Sequence, residues 1–433
     1  MKKSLIALAA LAATASFAQS SVSISGNVDM AYQNKEAINT AGKSFLKSSG
    51  VGDGMLVPNR FIITVQEDLG GGLKAKFVNE HGISPTSTDD WGIRQNNGAP
   101  QAAGAAALTP TIAAATATGG TILSQIPGAG WSTGSTNRGT YLSLGGGFGE
   151  VRAGYLVSSF YNASSQSGYL LGGEQYGALL HTLGLGEMGG ARANGIQYIS
   201  PVWSGFNIDL QQQSGAEREA TSQEGQAYTV NKAPRTAIRL NYGNGPLAVT
   251  YVNTSYKPMN TTQTTAAAAG VVTNTADASN KSDQLLASYT MGDFKFTGSY
   301  NKVKIVDNTV SALQADRDMK SMTWGAQYTT GPWTAYYVGG KGSVDGNATN
   351  TLTGGVYVPS ASTRLNDIKQ QQFGVKYAFS KRTTAYAVVG ESKDTGAGLA
   401  AQASPVAGAA GAAITASNIA KGKVSGFGLT HAF

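Results

Sequence analysis

The stretch Phe61-Ile62-Ile63-Thr64-Val65-Gln66-Glu67-Asp68-Leu69-Gly70-Gly71-Gly72-Leu73-Lys74-Ala75-Lys76-Phe77 decides the fold. Phe61, Ile63 and Val65 alternate with Arg60, Thr64 and Gln66. Beyond the glycines, Leu73, Ala75 and Phe77 alternate with Lys74, Lys76 and Glu80. A period of two gives each set its own face of a β-strand. The Asp-Leu-Gly-Gly-Gly between them suits a hairpin turn, because glycine accepts positive φ without a steric penalty. The unit is therefore a pair of amphipathic antiparallel strands.

The same unit recurs along the chain. Val22, Ile24, Val28, Met30 and Tyr32 oppose Ser23, Ser25, Asn27, Asp29 and Gln33. Phe206, Ile208 and Leu210 oppose Asn207, Asp209 and Gln211, and Phe294, Phe296 and Tyr300 oppose Lys295, Thr297, Ser299 and Asn301. Phe373, Val375, Tyr377 and Phe379 oppose Gly374 and Lys376. Seven connections are tight, at 67–72, 145–149, 200–205, 243–246, 291–293, 329–332 and 380–382. Eight long polar segments alternate with them, near 34–58, 81–136, 156–191, 212–234, 254–281, 302–319, 341–366 and 391–420, so that sixteen strands are predicted.

A soluble sandwich has no reason to place every long connection on one side. A transmembrane barrel does, with short turns facing the periplasm and long loops facing outside. Inside hydrocarbon every backbone polar group needs a partner, so the sheet must close. A charge on the lipid face at mid-bilayer costs about 2–4 kcal/mol. Asp29, Lys76, Asp209 and Lys295 are therefore expected in the bore, and a barrel of this strand number is wide enough to hold water. The prediction is an all-β, sixteen-stranded antiparallel transmembrane barrel that small hydrophilic solutes can enter.

Composition agrees with an exported barrel. Lys2 and Lys3, the apolar run Leu5 to Phe17 and the small residues Ser16 and Ala18 read as a secretory signal peptide over residues 1–18, leaving 19–433 as the barrel. The chain has no cysteine, 57 glycines, 13% charged residues and a mean hydropathy of −0.14. Its longest uncharged segment, Gln95 to Asn137, is broken by Pro100, Pro110 and Pro127 and reads as a loop. The net charge of +7 falls to +5 without Lys2 and Lys3. These positive residues are scattered singly, with no basic run or basic helix, which argues against a nucleic-acid partner. Tyr251, Tyr289, Trp324, Tyr328, Trp333 and Phe379 suit interfacial girdles. The low-complexity stretches 102–118, 261–278 and 396–420 fall in long loops and are expected to be loosely ordered.

Enzymatic signatures fail on context. Gly130-Trp131-Ser132-Thr133-Gly134 matches a nucleophile elbow, but it lies in a Gly/Thr-rich loop rather than between strand and helix. Gly339-Gly340-Lys341-Gly342-Ser343 lacks the ending and the helix of a phosphate loop. His81, His181 and His431 have no metal-ligand spacing. Lumen polarity accounts for the inward carboxylates without a glycosidase pair. No enzyme activity, metal or cofactor is expected.

Several ordered motifs resemble the Gram-negative general porins, the trimeric sixteen-stranded kind. They are Gln19-Ser20-Ser21-Val22, Gln66 through Ala75, Gly147-Phe148-Gly149-Glu150-Val151-Arg152, Tyr198-Ile199-Ser200-Pro201 through Gly205-Phe206, Asn244 through Val249, Tyr377 through Thr383, and the final Gly428-Leu429-Thr430-His431-Ala432-Phe433. The resemblance implies a homotrimer set among outer-membrane lipid and lipopolysaccharide. It implies assembly through a signal that ends at Phe433, and a third long loop folded into the barrel, here about 156–191. It also implies a constriction in which wall arginines at Arg60, Arg138 and Arg192 face acidic loop residues, for which Glu174 and Glu187 are available.

Alternation independently supports Arg60 alone. Arg138 shares parity with Leu142 and Leu144, and the glycines around Arg192 make its parity unreadable. Tyr155 stands where the family commonly has an arginine and is expected in the lumen with Lys74, Lys76, Arg152, Arg239, Lys295 and Lys376. Against these cations stand Asp29, Glu80 and Asp209, which predicts a weak anion preference. A channel selective for phosphate or small organic acids is the alternative on the same fold.

Overall fold

A computed structural model describes residues 20–39, 42, 44–53, 55–83, 85, 137–166, 192–213, 218–219, 228–232, 234–256, 259–264, 271–307, 317–347, 350–353, 356–359, 362–395 and 419–433. The signal-peptide region, Glu174, Glu187, His181, the Gly130–Gly134 motif and the low-complexity stretch 102–118 lie outside these residues.

The wall is a closed, sixteen-stranded antiparallel barrel. It begins with β1 (Ser21–Asn39), β2 (Ser44–Asp53), β3 (Arg60–Gly70), β4 (Leu73–Gly82), β5 (Asn137–Gly146) and β6 (Gly149–Val157). It continues through β7 (Arg192–Ile199), β8 (Phe206–Gln213), β11 (Arg235–Asn244), β12 (Leu247–Tyr256) and β14 (Val271–Met291). The last members are β15 (Phe294–Asp307), β16 (Arg317–Thr330), β17 (Trp333–Asn347), β20 (Ser362–Ala378), β21 (Thr383–Asp394) and β22 (Ile419–Ala432). β2 and β3 form one wall strand broken at 54–59. β3 pairs with Ser21–Asn27 of β1, and β2 with Met30–Ile38. β22 closes the ring on β1, and Gly26 and Phe433 exchange backbone hydrogen bonds of 3.0 and 3.1 Å.

All seven tight connections are hairpin turns as read from the sequence. Gly70, Gly71 and Gly72 all have positive φ, which is the conformational reason for glycine there.

The long segments differ from expectation, because many continue as strand. β1 and β2 extend into 34–58, up to Asn39 and from Ser44 to Asp53, and β14 is 21 residues long, whereas a crossing needs about 9–11. The Ala/Thr-rich stretch 261–278 contributes β13 (Met259–Thr264), which pairs with the start of β14. β9 (Arg218–Glu219) and β10 (Tyr228–Lys232) join β13 in the same extension, and β18 (Asn350–Thr353) and β19 (Val356–Pro359) form a separate hairpin. Above the bilayer both faces meet water, so alternation fades from the sequence while β-pairing persists.

The two faces of the wall are inverted relative to a soluble protein. Val22, Ile24, Leu142, Ile196, Phe373 and Phe427 lie outside and are each at least 59% exposed. Asp209, Gln213, Gln284 and Asn301 point inward and are fully buried. Aromatic rings gather at the turn end, where Phe206–Tyr242, Phe294–Tyr328 and Trp333–Tyr377 have centroids 4.4, 4.8 and 4.7 Å apart. Tyr251 and Trp324 stand further up the wall. The Trp324 ring lies over Gly339, and the Tyr251 hydroxyl donates to Asp283 at 2.7 Å.

Candidate functional site

Two arginines from two wall strands pair with one carboxylate, and a third from another strand is tied to them. Arg60 on β3 reaches Glu80 on β4 at 3.2 Å, and Arg138 on β5 reaches the same oxygen at 2.8 Å. Arg192, at the start of β7, donates through Nε to the Arg138 carbonyl at 2.6 Å. Strict alternation would send Arg138 to the lipid with Leu142. A β-bulge prevents this: the β4–β5 partner jumps from Gly139 at Glu80 to Asn137 at His81, and the skipped Arg138 turns inward. The Asn137 side chain braces the bulge by accepting from the Gly139 N–H at 3.1 Å and the Thr140 hydroxyl at 2.9 Å.

The start of the third long loop enters the bore. Helix α1 (Ser159–Gln166) packs on the inner wall at β11, β12 and β14. Gln211 and Gln213 of β8 donate to the Val157 and Leu156 carbonyls at 2.8 and 2.7 Å, and Gln211 accepts from the Ser159 N–H at 2.9 Å. Leu156, Phe160 and Ala163 are buried. The Tyr161 ring lies 5.6 Å from the Arg192 guanidinium, so this arginine touches both wall and loop. This fits a cation–π contact.

The other lumen charges are also held. Arg239 pairs with the fully buried Asp209 at 2.7 Å, and Gln197 donates to both carboxylate oxygens at 2.9 Å. Arg152 pairs with Glu150 at 2.8 Å and lies 5.1 Å from the Tyr141 ring, while Lys76 reaches Glu150 at 3.5 Å. Lys376 stands 4.9 Å over the Tyr336 ring. Lys295 lies opposite Gln327 with inward parity, and Lys74 is exposed near the turns.

Tyr155 departs from expectation. It pairs with Thr140 and Asn194, in phase with the exposed Leu142 and Ile196, so strand parity turns it outward. Asp29 is inward but fully buried rather than facing open water. It accepts from the Leu56 and Val57 N–H groups at 2.9 Å each and from the Tyr386 hydroxyl at 2.6 Å. These bonds fold residues 55–59 against the inner wall. Among the described residues, inward charges missed from the sequence include Glu150, the buried Arg235 and the buried Asp394. Glu150 and Arg235 have the parity of Arg152 and Arg239, already assigned to the lumen, so for them the signal was present.

Known proteins agree with this architecture. Residues 5–397 match the family profile of the Gram-negative porins. The chain belongs to the Gram-negative porin family. Its place is therefore the outer membrane. The chain is 52% identical over 80 residues to outer membrane porin protein 32 of Delftia acidovorans, covering 18% of this chain and 21% of that one. It is 26% identical over 267 residues to major outer membrane protein P.IB of Neisseria gonorrhoeae, covering 59% and 62% respectively. Both alignments span less than two thirds of those curated relatives. In fold it resembles the anion-selective porin from Comamonas acidovorans, with 20% identity, a TM-score of 0.56 and coverage of 96% of this chain and 100% of that one. OmpT of Vibrio cholerae matches similarly, with 13% identity, a TM-score of 0.56 and coverage of 96% and 98%.

Proposed function

We propose that this porin forms a water-filled channel for passive diffusion of small hydrophilic solutes and ions, with a weak preference for anions. The observation that carries the reading is the cluster in which Arg60 and Arg138 pair with Glu80 and Arg192 is bonded to the Arg138 carbonyl, beside the inward-folded α1. Three guanidinium groups against one carboxylate leave this stretch of wall net positive, and fixed charge of one sign attracts the opposite ion. Lys74, Lys76, Arg152, Arg239 and Lys295 extend the positive lining. Glu174 and Glu187 on the remainder of the third loop are proposed as the opposing pole. The reading extends to a homotrimer surrounded by outer-membrane lipid and lipopolysaccharide, with residues 1–18 removed on export and Phe433 ending the assembly signal. No catalytic role is assigned to any residue.

Planar-bilayer recording tests the proposal. In a tenfold salt gradient the wild-type reversal potential is expected on the anion-selective side, and R60Q/R138Q is expected to move it towards cations. A cation-selective wild type, or a double variant with unchanged selectivity, would overturn the assignment. A narrower reading, selectivity for phosphate or a small organic acid, draws on the two segments that fold into the bore, α1 and residues 55–59. It requires block of the chloride current by that solute at low concentration.

A further inference from the structure

A neutral side chain on the lipid side of the wall governs where one of the bore charges stands. Asn137 pairs with His81, in phase with Asn79 and with Phe77, which lies opposite the exposed Leu142. Thr140, opposite Asn79, belongs to the same outward row. Between these two outward residues lie Arg138 and Gly139, and together they occupy the single inward place opposite Glu80. In a regular ladder His81 would face Arg138 instead. A slip of one residue moves side chains to the other face, so the guanidinium would leave the bore for the lipid side.

The bulge is held from both faces. On the outward side the Asn137 Oδ1 accepts from the Gly139 N–H at 3.1 Å and from the Thr140 hydroxyl at 2.9 Å. Asn79 of β4 donates to the Thr140 oxygen at 2.8 Å, which ties this set to the neighbouring strand. On the inward side the Arg138 Nε donates to Glu80 at 2.8 Å, and its carbonyl accepts from Arg192 at 2.6 Å. The Arg138 methylenes run over Gly82, where an added Cβ would stand 3.2 Å from Cδ. The inward bonds hold Arg138 once it is in the bore. The outward bonds are what keep the backbone bulged.

We propose that Asn137 is a selectivity-determining residue of this channel, a positioning residue that acts through Arg138 and meets no ion itself. Its amide oxygen holds the bulge from the lipid side and thereby keeps a guanidinium in the path of ions. The consequence for ions rests on the anion preference proposed above. The placement of residue 138 does not, so the two fail separately.

The chain has no cysteine, so R138C carries the sole thiol. Modification by the anionic, water-soluble reagent sulfonatoethyl methanethiosulfonate is read in planar bilayers as a stepwise fall in single-channel current. R138C is expected to react readily. N137A/R138C should react about tenfold more slowly, since two accepted hydrogen bonds are lost together. N137S/R138C should recover most of the rate, because a serine hydroxyl can also accept from the N–H two residues on. With Arg138 in place, N137A should move the reversal potential towards cations. N137A/R138Q should move it no further than R138Q alone, because both changes act through one group. Equal modification of R138C and N137A/R138C overturns the proposal, as does an N137A shift that adds in full to that of R138Q. A cation-selective wild type with the thiol rates as expected would sink the channel reading and leave the placement standing. Should N137A/R138C not fold, T140V/R138C removes one of the two bonds and is expected to react about threefold more slowly. An undiminished rate in that variant overturns the proposal.

Discussion

The inner wall holds several arginines in ion pairs, whereas one row on the outer wall sets lysine opposite lysine. Inside, Arg60 and Arg138 share Glu80, Arg152 is held by Glu150 and Tyr141, and Arg239 is held by Asp209. Outside, Lys341, Lys369 and Lys393 face one another across strand pairs. The difference follows from chemistry as well as place. A guanidinium is a planar fork that locks onto a carboxylate, whereas an ammonium on four methylenes is a mobile point charge. Fixed cations create a standing field for ions that pass through.

If the interior charges are fixed by their partners, breaking the most buried pair should have the largest effect. Asp209 is fully buried and contacts Arg239, Gln197 and, at 3.4 Å, the Ser159 hydroxyl at the start of α1. D209N leaves Arg239 without its counter-charge, and breaking a buried pair in this way costs about 3–5 kcal/mol. The expected outcome is a lower urea midpoint together with noisy, larger single-channel currents as α1 loosens. A variant with wild-type stability and quiet currents would mean that the interior charges are as free as the exterior ones.

Asp29 gives the next largest effect. Two backbone N–H groups and the Tyr386 hydroxyl converge on it, and D29A strands these buried donors at about 1–3 kcal/mol for each left unsatisfied. Residues 55–59 should then leave the inner wall, read as raised protease sensitivity within that segment and a modest rise in conductance. Unchanged cleavage would show that the packing of Met55 and Leu56 against Tyr386 and Val388 holds the segment without the carboxylate.

The sequence was informative wherever one local rule determined the structure. The turn at Gly70-Gly71-Gly72 and the alternation on either side of it needed no distant partner, and the same logic found all seven turns. It failed where distant pairing decides. The bulge that redirects Arg138 depends on the register between β4 and β5, which parity along β5 cannot reveal. The buried role of Asp29 depends on residues 56 and 57, on the far side of the β1–β2 hairpin. Reading Tyr155 by family position misled, because its strand parity already pointed outward beside Val151. Lys341, Lys369, Lys393 and Lys421 are isolated in the sequence, each one hairpin arm from the next. Only the register between neighbouring strands turns a scatter of single charges into a row.

That row supports the smallest prediction and the sharpest one in sign. Removing a charge from the middle of a like-charged row should stabilise the protein when nothing else neutralises it. K369Q relieves two directly opposed contacts, with Lys341 and with Lys393, at about 0.2–1 kcal/mol each. In phosphate-free detergent the variant should therefore unfold at a slightly higher urea concentration than wild type. A K369Q midpoint at or below that of wild type would make the row ordinary surface charge and remove the contrast between the two walls.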